Sequence, residues 1–164
     1  MIPGEKRRKT MDRMEMAKKL YTQAQRMTIG MAASVVAYGA IGYYLVQMGK
    51  VGPAILNAQT YPLVKYGALG VSILGIFAMW QLDRRMFNAF PAQIPDTERP
   101  PQRLFVRTVL MSAGAELPLL LGMVLVFLGR QALDFIPFAI VSLTGFSLAF
   151  PRKQQWSNWL GADF

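Results

Sequence analysis

The chain has 164 residues, 53% of them hydrophobic, a formal net charge of +9, and neither Cys nor His. That excludes disulfides, thiolate or imidazole metal sites and the usual His ligands of haem and chlorophyll, so no cofactor is expected. The mean hydropathy is only +0.27 because strongly apolar blocks alternate with strongly basic ones, a membrane pattern, and the basic residues flank apolar spans instead of forming a nucleic-acid groove.

Residues 1–26 form a basic tail that opens with Lys6, Arg7, Arg8 and Lys9. Within and just beyond it, Met11, Met14, Ala17, Leu20, Tyr21, Ala24 and Met27 recur at helical spacing opposite Arg13, Lys18, Lys19 and Arg26. This predicts a cytoplasmic amphipathic helix over 10–27, lying on an anionic membrane surface or against a partner.

Crossing roughly 30 Å of hydrocarbon takes about 17 to 25 residues, so charge-free windows segment the rest of the chain. They lie between Arg26 and Lys50, Lys65 and Asp83, Arg107 and Arg130 (with Glu116 inside), and Asp134 and Arg152. The expected architecture is an all-α integral membrane protein. Its four transmembrane helices form two antiparallel hairpins, over 27–82 and 108–150, after the amphipathic helix. The linker 83–107 contains Pro91, Pro95, Pro100 and Pro101 and is predicted to be extended in part, since proline cannot hold a regular helix there. Residues 151–164 form a C-terminal tail.

Orientation follows from the basic residues. With both termini and the central linker in the cytoplasm, fifteen Lys and Arg lie inside and three outside, as the positive-inside rule favours. Trp80 near the inner end of span two, and Trp156 and Trp159 just beyond span four, are expected to anchor at the membrane interface or on a partner.

The chemically distinctive group is Glu116. It lies nine residues beyond Arg107, or about 13 Å along a helix, close to the membrane midplane. A carboxyl at that depth costs roughly 2.5 kcal/mol or more on insertion scales, so it is expected to face a partner or an ion path rather than lipid. No Lys or Arg of the spans reaches it, and the neutral acid is the expected form. Tyr38, Ser142 and Thr144 lie at similar depth as candidate hydrogen-bonding partners. Pro118 lacks an N–H, which is expected to free the Gly114 carbonyl and kink the span. Small residues, among them Gly30, Ser34, Gly67, Gly70, Gly75 and the run Ser112 to Ala115, predict close helix contacts.

The segment Ala115-Glu116-Leu117-Pro118-Leu119-Leu120-Leu121-Gly122-Met123-Val124-Leu125-Val126-Phe127 resembles the carboxylate helix of proton-translocating rotor-ring c subunits. That resemblance implies an ion-binding role for Glu116. The glycine-repeat helix that precedes the acid helix in those subunits has no counterpart here. The overall layout, with its Phe150-Pro151-Arg152 exit and Trp156, is similar to uncharacterised bacterial four-span inner-membrane proteins. This second resemblance implies the fold, the topology and a bacterial inner-membrane location.

Nucleophile, phosphate-loop and paired-carboxylate patterns are missing from the sequence, so a non-enzyme is expected. The leading expectation is an accessory subunit that scaffolds a larger energy-converting membrane complex, respiratory or photosynthetic. Its partners would be the lipid bilayer and other membrane subunits. The alternative is a proton- or cation-translocating subunit working through Glu116.

Overall fold

The protein was described through a computed structural model covering residues 3–51, 54–89 and 101–160, with side chains described outside 3–10, 86–89 and 159. The linker 90–100 and the side chains of Lys6, Arg7, Arg8, Lys9 and Trp159 therefore lie outside the described residues. The elements are α1 (Pro3–Gln47), α2 (Thr60–Ala89), α3 (Pro101–Gly129), a 3-10 turn (Ala132–Asp134), α4 (Phe135–Ala149) and α5 (Lys153–Leu160). The described residues contain no strand. Helices α1 to α4 each supply a stretch long and apolar enough to cross a membrane: Met11–Gln47, Thr60–Arg85, Pro101–Gly129 and, including the 3-10 turn, Ala132–Ala149.

The amphipathic segment and span one are a single 45-residue helix. Pro3 sits at its first position, where a missing N–H costs nothing, and no proline follows until Pro53. The helix ends in a Schellman turn. The Lys50 N–H donates to the Leu45 carbonyl and the Gly49 N–H to the Val46 carbonyl, both at 3.1 Å, with Gly49 at φ +64°. Helix α2 opens on Asn57, whose side-chain oxygen accepts the Thr60 N–H at 2.8 Å in the manner of an N-cap.

Helices α3 and α4 form the centre, joined by a turn too short for anything but antiparallel packing. Both α1 and α2 pack on this pair, and they make little contact with each other. The expected first hairpin is thus consecutive in sequence without being a packed unit. In lipid there is no hydrophobic drive between helices, so approach distance matters most. A Cβ on Gly122 would meet the Phe138 Cβ at 2.8 Å, and one on Gly145 would meet the Ala115 Cβ at 2.8 Å. Gly114 lies against the Met79 sulfur and Gly129 against the Tyr61 ring. Gly30, Gly67, Gly70 and Gly75, expected at helix contacts, face open space instead. Their small faces meet no other side chain or backbone among the described residues.

The apolar core has three parts. The middle one joins Val35, Ile76, Ala115, Leu119, Val126, Phe135 and Phe146. A second joins Tyr61, Leu125 and Phe138. The third lies at the end of the bundle that carries the chain termini, where Ala17 and Ala24 of α1, Leu104 of α3, and Trp156 and Leu160 of α5 form one cluster. Ala17, Leu20, Tyr21 and Ala24 of the predicted amphipathic face are therefore covered by this chain's own α3 and α5, whereas Met11, Met14 and Met27 of the same face stay exposed. Trp156, expected as an interfacial anchor, is fully buried there and meets the Tyr21 ring edge-on at 5.5 Å. Trp80 differs: it is half-buried, with the Arg84 guanidinium 4.0 Å from its ring centre, a placement compatible with the water–lipid boundary.

Candidate functional site

Near the middle of α3, Glu116 stands at the rim of the seam with α1. It is neither sealed in the core nor fully lipid-facing. Its neighbour Ala115, fully buried, points to α4, and Leu117 points outward with 60% exposure. The Ser34 hydroxyl of α1 donates to Glu116 Oε1 at 3.1 Å and to the Met31 carbonyl of its own helix at 2.6 Å. One hydroxyl hydrogen serves two acceptors here, and the shorter contact is to the backbone.

About one turn along α3 towards the terminal end, Thr28 and Ser112 meet hydroxyl to hydroxyl at 3.2 Å, both almost fully buried. Thr28 also donates to the Ala24 carbonyl at 3.0 Å, and buried Thr108 donates to the Leu104 carbonyl at 3.0 Å. The α1–α3 seam is thus polar from Thr108 to Glu116. Beyond Glu116, α3 carries no polar side chain up to Gly129.

The residues expected around Glu116 are distributed more widely. Ser142 is fully buried and donates to the Ala115 carbonyl at 2.6 Å, so it ties α4 to the backbone beside the acid and does not touch the carboxyl. Tyr38 is half-buried and packs against the middle core. Thr144 is exposed on α4 and donates to the Ile140 carbonyl at 2.9 Å, away from Glu116. Pro118 is buried within α3, which runs unbroken through it, and the Ser142 hydroxyl reaches the carbonyl next to that of Gly114. The residue that meets the acid is Ser34, which sequence reasoning noted only for its small size. Its polar atom at the depth of Glu116 was the available signal.

Two ion pairs fix the ends of α2. At the terminal end, Arg107 Nε and Nη2 engage both oxygens of Asp83, the second at 2.5 Å, with the Arg107 side chain only 3% exposed. At the opposite end, Asp134 accepts from the Tyr61 hydroxyl at 2.5 Å and from Lys65 Nζ at 2.6 Å. In the sequence these charges serve as span boundaries. Opposite signs at matching depth on different spans were the signal that they pair. Lys65 and Asp83 lie 18 residues apart, about 27 Å of helix, which matches the hydrocarbon thickness.

Comparison with family models, with curated proteins and with solved structures finds no match for this chain. The reading of the site rests on its own geometry.

Proposed function

We propose that this protein is a non-catalytic accessory subunit that scaffolds a larger energy-converting complex in a bacterial inner membrane, with both termini cytoplasmic. The observation that carries the reading is the position of Glu116, a carboxyl near mid-helix at the rim of a seam, with no Lys or Arg of this chain's spans to compensate it. Intramembrane acids are costly, and they persist where a partner or an ion uses them. The unused small faces of α1 and α2, with Gly30, Gly67, Gly70 and Gly75 meeting nothing, support helix contacts outside the chain. The basic rim, including exposed Arg84, Arg85, Arg152 and Lys153, supports a cytoplasmic placement of that end.

The test is extraction of the native protein in mild detergent and determination of the mass and composition of the particle that contains it. A hetero-oligomer containing energy-converting subunits is expected. A lone chain or a homo-oligomeric ring refutes the reading.

One observation favours a second reading, translocation of a proton or cation through Glu116. The polar seam from Thr108 through Thr28 and Ser112 leads from the terminal end to the acid. Beyond the acid α3 is apolar, so an exit path would need another subunit. Flux in proteoliposomes separates the readings: Glu116→Gln abolishes translocation but leaves a packing role largely intact.

A further inference from the structure

Ser34 and Glu116, both half-buried and hydrogen-bonded to each other, mark the line where α1 and α3 meet, the bottom of the groove between these two helices. On a helix surface, residues three or four apart are neighbours. Ser34 is flanked in this way by Gly30 and Ala37, and Glu116 by Ala113 and Leu120. All four flanking residues are exposed, and a Cβ on Gly30 would meet nothing within 4 Å. Three of the four are Gly or Ala, so another backbone can come close to the acid.

The charge pattern selects the occupant. No Lys or Arg lies between residues 108 and 129 of α3 or between 27 and 49 of α1, so this chain, or a second copy of it, brings no cation to the depth of Glu116. Two ion pairs among the described residues, Asp83–Arg107 and Asp134–Lys65, sit at the two ends of α2. A carboxyl in a low-dielectric groove is stabilised best by an opposite charge with hydrogen bonds to both oxygens, and Ser34 supplies one of those bonds.

We infer that the α1–α3 groove binds a transmembrane helix of another subunit, seated on Gly30, Ala37 and Ala113, whose Lys or Arg pairs with Glu116 at mid-membrane. This deepens the accessory-subunit reading and rests on it. With that partner in place the Glu116 carboxyl is shared between the cation and the Ser34 hydroxyl.

The test uses a photo-reactive residue at Ala37 or Ala113 in the full chain, expressed in its native membrane, with Val71 on α2 and Leu148 on α4 as exposed control positions. The expected result is capture of the same foreign helix from both groove positions and not from the controls, with a Lys or Arg within one turn of the captured depth. Glu116→Leu should reduce that capture by at least about tenfold, because breaking a buried pair costs more than that factor requires. Ser34→Ala, which keeps the carboxyl, should reduce it less. Capture of lipid alone, of a second copy of this chain, or of a helix without a cation at that depth overturns the inference. If the extracted particle is a hetero-complex and the groove captures lipid alone, the inference fails while the accessory-subunit reading stands. If the particle is a lone chain, both fail.

Discussion

Asp83 of α2 and Arg107 of α3 clasp each other through two parallel hydrogen bonds, with the arginine almost fully buried. Since α2 packs less extensively on the central helices than α1 does, this pair and the Lys65–Asp134 pair at its other end hold α2 in register. Removing one member strands a charge. Arg107→Ala is expected to destabilise the fold by about 3–5 kcal/mol, whereas replacing both residues with Leu should recover much of the loss. Unfolding in mixed micelles, run as a double-mutant cycle, measures the coupling. A cycle with no coupling refutes the role given to the pair.

The α3–α4 contact depends on the absence of a side chain at Gly145, where a Cβ would lie 2.8 Å from that of Ala115 and 2.7 Å from the Ile76 Cδ1. Gly145→Val is expected to cost about 1–3 kcal/mol through overpacking. Gly67→Val, at a position with nothing within 4 Å, should leave stability unchanged or slightly improved. Equal effects at the two sites would show that the helices pack differently.

Trp156 fills the cluster that joins α5 to α1 and α3, yet its indole Nε1–H finds no acceptor among the described residues. Volume and polarity therefore oppose each other. Trp156→Ala should cost about 3–5 kcal/mol and expose the N-terminal part of α1 to protease. Trp156→Phe keeps an aromatic ring and removes the orphan donor, so its cost should be within about 1 kcal/mol of zero. In a variant with Phe at positions 80 and 159, emission from Trp156 should be blue-shifted and poorly quenched by acrylamide.

After α3 the chain turns through Arg130 at φ 57°, in the left-handed region that suits glycine. The preceding Gly129 is glycine for a different reason: the Tyr61 ring occupies the space that a Cβ there would take. Arg130 is exposed, so Arg130→Gly is expected to stabilise the fold by about 1 kcal/mol. A lower midpoint for Arg130→Gly in the same micelle assay would contradict this account of the turn.

Because the chain contains no Cys, single cysteines report topology cleanly. With cytoplasmic termini, Asn57→Cys should react with an impermeant maleimide on intact cells, and Gln155→Cys only after permeabilisation. The reverse pattern inverts the proposed orientation.

The sequence by itself determined the helical class, the four apolar spans and the place of Glu116 near the middle of the third. Each depends on a one-dimensional quantity: the length of uncharged chain against a bilayer thickness, or a count of residues at about 1.5 Å each. It also exposed an apolar face over residues 10–27, but periodicity shows only that a face needs covering. Tertiary structure decided that Leu104 and Trp156 of the same chain cover its Ala17–Ala24 part and leave Met11, Met14 and Met27 exposed. Likewise, composition marked Asp83, Arg107, Lys65 and Asp134 as span ends, while helix arrangement made them pairs. Depth alone offered Tyr38, Ser142 and Thr144 to Glu116. The rotation of each helix about its axis sent Thr144 outward and Ser142 to a backbone carbonyl, and left Ser34 at the acid. Rotation is fixed by packing against neighbours, and in a nearly uniform apolar span the hydrophobic pattern carries little information about it.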